Sequence, residues 1–219
     1  MNLKACAAEF IGTFALIFVG VGAIAGNLMN GGQTGLVGIA LAHGLTIAVM
    51  VSATAAISGG HLNPAVTVGL FFAKKIDSLN TIGYVLAQCL GAIAAACLIK
   101  AVVPAGILKV INMGTPALAN EVTVAMGLIT ELILTFFLVF VVYGTAVDPR
   151  APKVGGLFIG LTVALDILIG GPLTGAAMNP ARHLGPALLG GGLQNLWLYW
   201  LGPILGGILA TFTYQRILE

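Results

Sequence analysis

The sequence predicts an all-α membrane protein, with six transmembrane helices and two re-entrant half-helices in an inverted repeat within one domain, 1–219. Three observations predict it. Of 219 residues, 59% are hydrophobic and only 7% charged. Six apolar runs reach the length of about 20 residues that crosses a bilayer. One tripeptide, Asn-Pro-Ala, stands in each half of the chain, at 63–65 and again at 179–181.

The composition sets the class. A soluble domain carries about 25% charged residues. At 7% there is too little polar surface to face water all round, so the surplus apolar surface faces lipid. The mean hydropathy is +1.08. A net charge of +2 supplies no basic field for nucleic acid. Cys6, Cys89 and Cys97 fit neither a disulfide scaffold nor a metal site and read as small buried packing residues. The first run exceeds signal-peptide length and lacks a clear cleavage site, so it reads as a retained span.

The spans fall at 5–28, 34–57, 80–102, 122–146, 154–172 and 195–215. Within lipid, backbone groups must pair inside their own segment, so each is a helix. Two further apolar stretches, 63–73 and 179–189, are too short to span. Each follows a Gly-rich turn and opens on Asn-Pro-Ala. Asn caps a helix start and Pro fits the first turn, so both read as half-helices that enter the membrane and stop. With a cytoplasmic N-terminus, Lys4, Lys74, Lys75, Arg150, Lys153 and Arg216 lie inside, and Lys100 and Lys109 outside. That bias puts both termini in the cytoplasm.

The halves, about 1–110 and 111–219, match one another. Gly44-Leu45-Thr46 returns as Gly160-Leu161-Thr162 at the offset of the Asn-Pro-Ala boxes, and Gly69 returns as Gly185. Tyr84 and Gly91 match Tyr199 and Gly206 one residue short of it. Glu9, Thr13 and Phe14 match Glu131, Thr135 and Phe136. Three spans per half is an odd number, so the second half is inverted relative to the first, a known transport architecture. The half-helices then meet from opposite faces with their positive N-terminal ends facing.

The paired boxes Asn63-Pro64-Ala65 and Asn179-Pro180-Ala181, the loop Ser58 to Asn63, Arg182 after the second box and the glutamates Glu9 and Glu131 together resemble the aquaporin (major intrinsic protein) family over nearly the whole chain. The resemblance implies a passive channel for water and small neutral solutes, without catalysis, cofactor or metal. It also implies a homotetramer in the lipid bilayer. The stretch Gly91 to Ala96 would allow the close helix packing such an assembly needs. Asn63 and Asn179 would cap their helices through the side-chain oxygen and leave NH2 donors for the pore.

By the same resemblance, the carbonyls of Gly59, Gly60, His61 and Leu62 line one half of the pore, and those of Gly175, Ala176, Ala177 and Met178 the other. Glu9 and Glu131 brace these loops. A charge within a span is costly and usually functional, and a proton-relay carboxylate in a coupled transporter is the rival role. The filter falls on His43, Ile167, Ala176 and Arg182. This quartet resembles that of plant tonoplast intrinsic proteins and is less polar and wider than in a strict water channel, so ammonia, urea, hydrogen peroxide or glycerol could accompany water. His183 after Arg182, and Tyr199-Trp200, lean toward water, and no His between Phe72 and Arg182 supports efficient ammonia transport.

Of three further polar residues, two keep two readings each. His61 senses pH or braces its loop. His183 packs at a half-helix start. Asp166 pairs with His43 or a loop amide, or faces the bundle interior. Short termini suggest a prokaryotic cell membrane, whereas the filter suggests a vacuolar one.

Overall fold

A computed structural model describes residues 1–151 and 154–218. Lys153, counted above among the inside basic residues, lies outside them. The spanning helices are α1 (Leu3–Met29), α2 (Gly35–Ser58), α4 (Ser78–Val102), α6 (Val124–Val142), α7 (Gly155–Thr174) and α9 (Leu196–Thr213); α6 and α9 run on as π-helical turns, Tyr143–Val147 and Tyr214–Leu218. The half-helices are α3 (Pro64–Phe72) and α8 (Pro180–Gly190). A short helix not foreseen in the sequence, α5 (Ala105–Val110), starts after Pro104.

Caps define the ends. Asn2, Asp77 and Thr123 accept hydrogen bonds from the first-turn amides of α1, α4 and α6. α2 and α7 stop at Gly59 (φ 88°) and Gly175 (φ 78°), left-handed positions that glycine takes without a Cβ penalty. The spans are apolar on both faces. Leu79, Ile82, Leu86 and Leu90 make an exposed stripe along α4, while Glu9, Thr13, Gln88, Glu131 and Thr135 are fully buried. Apolar groups outside and polar groups inside suit a lipid solvent.

α1 packs on α4 as α6 packs on α9, and α2 pairs with α7. The half-helices are exchanged, α3 lying mainly against α9 and α8 against α4. Glycines matched between the halves sit at these contacts. A Cβ on Gly44 would stand 2.5 Å from the Gly160 carbonyl oxygen, and one on Gly160 would collide with the Gly44 carbonyl. Gly91 likewise abuts the Phe10 carbonyl, and Gly206 that of Leu132. The small residues of the stretch Gly91 to Ala96 serve packing inside the protomer. Gly91, Ala92, Ala95 and Ala96 are buried within the protomer, against α1 and against Gly185 of α8. Cys97 also departs from expectation. It is exposed, and Cys6 and Cys89 are only half-buried.

One end of the molecule is tied together by polar contacts. Asp148 forms an ion pair with Arg150 at 2.5 Å and accepts from the Tyr214 hydroxyl at 3.0 Å. The Arg150 hydrogen bonds hold the Asp148 carboxyl below the ordinary carboxylate range. Gln215 donates to the Ala73 carbonyl and the Tyr143 hydroxyl, and Lys75 lies over the Tyr143 ring. This latch fastens the turn after α3 to the ends of α6 and α9.

Candidate functional site

Two buried carboxylates hold the re-entrant loops. Glu9 Oε1 accepts from the Ser58 hydroxyl (2.6 Å) and the His61 amide (2.9 Å). Its Oε2 accepts from the Leu62 amide (2.5 Å) and Gln88 Nε2 (2.7 Å). Glu131 repeats the pattern, accepting from the Thr174 hydroxyl (2.6 Å), the Ala177 amide (2.9 Å) and the Met178 amide (2.7 Å). Tyr84 and Tyr199 donate to the carbonyls of Ser58 and Thr174. The braced loops are strained. Leu62 (φ 52°), Ala176 (φ 44°) and Met178 (φ 52°) are left-handed without being glycine, at a cost of about 1–3 kcal/mol each. The carboxylate-bound amides are what keep the backbone there.

The loops deliver Asn63 and Asn179 to one point. Asn63 Nδ2 donates to the Met178 carbonyl and Asn179 Nδ2 to the Leu62 carbonyl, both at 2.9 Å. Their side-chain oxygens accept from Ala65 N (2.8 Å) and from Ala181 N (3.0 Å) and Arg182 N (3.2 Å), capping α3 and α8. Each asparagine amide thus commits one N–H to the opposite loop and has one left, not the two expected from sequence. Pro64 and Pro180 occupy the first helical position, where no amide hydrogen is needed. Ala65 and Ala181 are fully buried, and Ala65 touches Gly207 of α9.

A narrow cavity passes this point. One wall is polar, formed by Gly60, His61, Asn63, Ala176, Ala177, Met178, Asn179 and Arg182; the other is apolar, with Leu16, Ile47, Val51, Leu138, Val163 and Ile167 among its residues. The apolar wall obeys the repeat: Leu16 answers Leu138, Ile47 answers Val163, and Val51 answers Ile167. Three expected lining residues fall elsewhere. Gly59 turns the end of α2. The Leu62 side chain is buried against Gly12, and its carbonyl is taken by Thr13 and Asn179. Gly175 lines a second cavity outside the filter. The Met178 carbonyl is likewise occupied, by Asn63.

His43, Ile167 and Arg182 line both the channel and that outer cavity, while Ala176 lines the channel alone. His43 Nδ1 lies 2.8 Å from the Ile39 carbonyl. A carbonyl only accepts, so Nδ1 carries the hydrogen, and in the neutral ring Nε2 is then an acceptor. Gly20 makes room for this ring, since a Cβ there would collide with it. Arg182 Nη1 donates to the Gly114 carbonyl at 2.8 Å. Asn112, Met113 and Gly114 are all left-handed, which aims that carbonyl inward. Neither Gly20 nor Gly114 was legible as a site residue, because each contributes only space or backbone. On the other side of the asparagines, the repeat partners of His43, Ile167, Ala176 and Arg182 are Ile159, Val51, Gly60 and Val66. The fixed charge is therefore at one end only.

His61 Nδ1 contacts Thr67 Oγ1 (3.1 Å), and its ring meets Tyr84 edge-on. The single Thr67 hydrogen goes to the Asn63 carbonyl, so His61 is the donor, which fits the bracing role. His183 is buried and stacked on Tyr199 with centroids 4.1 Å apart. Asp166 meets neither expected partner. Its Oδ2 is buried without one, and the residue lines a groove between α6 and α7 beside Ile133, Phe137 and Ile169.

Among the described residues, six apolar spans enclosing a narrow passage, with two half-helix tips meeting at its centre, define a membrane channel protein. The family model described as major intrinsic protein matches residues 1–214, and the chain belongs to that family. It is similar to aquaporin TIP4-4 of Zea mays, 46% identical over 98% of this chain and 86% of that protein. It is similar to probable aquaporin TIP3-2 of Arabidopsis thaliana, at 42% over 99% and 84%. Among solved structures it is similar to the X-ray structure of the aquaglyceroporin from Plasmodium falciparum, with a TM-score of 0.84, 26% identity, and coverage of 100% of this chain and 97% of that one.

Proposed function

We infer that the chain is a passive channel for water, and that water passes in single file between the two asparagines. The crossed hydrogen bonds from Asn63 and Asn179 carry this reading. They hold two positive helix ends and two spare amide hydrogens at one point of the cavity wall. A water oxygen that accepts from both turns its own hydrogens toward the two exits. The hydrogen-bonded wire needed for proton hopping is then broken, and the positive half-helix ends add the electrostatic barrier by which channels of this type exclude protons and cations. The apolar wall opposite offers no partner that would hold the water back. Asn63-Pro64-Ala65 and Asn179-Pro180-Ala181 build this point; Glu9 and Glu131 brace it. Both carboxylates are fully engaged by donors on their own loops, which favours bracing over proton relay.

Selection falls to His43, Ile167, Ala176 and Arg182. Arg182 repels cations, His43 accepts a hydrogen bond, and the two apolar residues leave room for a solute larger than water. Glycerol, urea, ammonia and hydrogen peroxide are the candidates for secondary passage. The relatives are named TIP aquaporins of plants, which favours a vacuolar membrane over the prokaryotic cell membrane. A homotetramer with one pore per subunit, both termini cytoplasmic, completes the reading. A permeability panel in proteoliposomes tests it. Water conductance is expected to exceed that of glycerol, urea and ammonia. A glycerol or urea conductance above that of water would overturn the assignment of water as the main solute.

A further inference from the structure

Lys100 and Lys109 stand at the end of the molecule where basic residues are few, each in the last turn of its own helix, α4 and α5. A cation there complements the negative end of a helix. That accounts for each lysine singly, and not for their convergence. Although a non-helical step at Val103-Pro104 separates their helices, both line one pocket with Asn112, above a floor of Leu108, Met113 and Leu189. Leu108 and Met113 are each 5% exposed, so the floor is fixed by packing. No acidic residue lines the pocket, and the one ion pair among the described residues joins Asp148 to Arg150. Beside it, Leu98, Val102 and Val110 are exposed. The pocket therefore opens where the lipid-facing surface ends, with a cationic rim and an apolar base.

We propose that this pocket binds the phosphate headgroup of an anionic phospholipid in the leaflet at that end of the molecule. The two ammonium groups and the Asn112 amide face the headgroup, and the apolar floor faces its glycerol and upper acyl region. Lipid rather than free phosphate is the occupant because the floor is apolar and exposed apolar side chains, Leu98, Val102 and Val110, neighbour the two lysines in the chain. Lysines near a membrane surface each contribute about 1 kcal/mol toward anionic lipid.

Native mass spectrometry of the purified channel tests this, titrating phosphatidylglycerol, phosphatidylcholine and inorganic phosphate separately. Phosphatidylglycerol is expected to bind more tightly than phosphatidylcholine. Lys100→Gln with Lys109→Gln should weaken its tightest site about thirtyfold, and either single change about fivefold. Lys100→Arg with Lys109→Arg should retain the site, as should Lys74→Gln at the opposite end. These lysines line no part of the pore, so unchanged water permeability certifies that the variants are folded. Equal phosphatidylglycerol affinity in the wild type and the double glutamine variant would overturn the proposal. So would equal binding of phosphatidylcholine, or lysine-dependent binding of inorganic phosphate alone, which would mark a free-anion site.

Discussion

Glu131 shows how one side chain sets the geometry of a pore it does not line. It is fully buried, and three donors converge on it from residues 174, 177 and 178. Its removal leaves the Ala177 and Met178 amides without partners and the Thr174 hydroxyl with only the more distant Gly170 carbonyl, and frees Ala176 and Met178 from left-handed backbone. Glu131→Ala is expected to lose more than about 2 kcal/mol of stability, at about 1–3 kcal/mol per orphaned buried donor. Most of the water permeability should go with it. Thermal unfolding and osmotic shrinkage of vesicles, normalised to folded protein, check both. A stable, fully permeable variant would show that the loop holds its shape without the brace. Glu9 and Glu131 stood out in the sequence because a carboxylate within a hydrocarbon run is costly, while the bracing role was what the family resemblance implied. Such roles are legible only where the residue type is out of place. They were not legible at Gly114, whose carbonyl receives Arg182, since a carbonyl has no signature in the residue type. The same holds for Leu62 and Met178, whose carbonyls bind the opposite asparagine; only the meeting of the halves creates that contact. Asp166 kept two readings for a related reason. Periodicity places it beside Ile167 but does not say which side of α7 faces the lumen.

Among elements, the spans were readable because lipid demands long unbroken apolar helices, and the half-helices because an Asn-Pro pair marks a helix start in an apolar stretch too short to cross. α5 carried no such signal, being six residues in the connection between α4 and α6. The exchange of α3 onto α9 and of α8 onto α4 was also invisible in one dimension. The glycines matched between the halves were visible, and the structure supplies their reason in backbone-to-backbone contact. At Gly160 the nearest neighbours are the Gly44 carbonyl and Ala48. Neither can move without shifting α2. Gly160→Leu should therefore destabilise the channel by at least the about 1–3 kcal/mol of an overpacked core. At about 2–4 °C per kcal/mol in a chain of this size, the apparent unfolding temperature falls by several degrees. Leu161→Ala, one residue on at a 40% exposed position, should change it little. Equal unfolding temperatures for the two variants would contradict the close α2–α7 contact.

For the whole molecule, the two halves share a skeleton and differ in lining. Braces, caps, left-handed loop residues and the apolar wall recur in both. The filter does not, since His43 and Arg182 answer to Ile159 and Val66. A pore with fixed charge at one end and paired amides at its centre should pass water in both directions and stop ions. The most direct test is water and proton flux measured together in one preparation of proteoliposomes. Osmotic shrinkage should be fast, weakly temperature-dependent and indifferent to any imposed ion gradient, with proton leak no greater than in empty vesicles. Shrinkage no faster than in empty vesicles, or water flux accompanied by a protein-dependent proton current, would contradict a central passage that conducts water and breaks the proton wire.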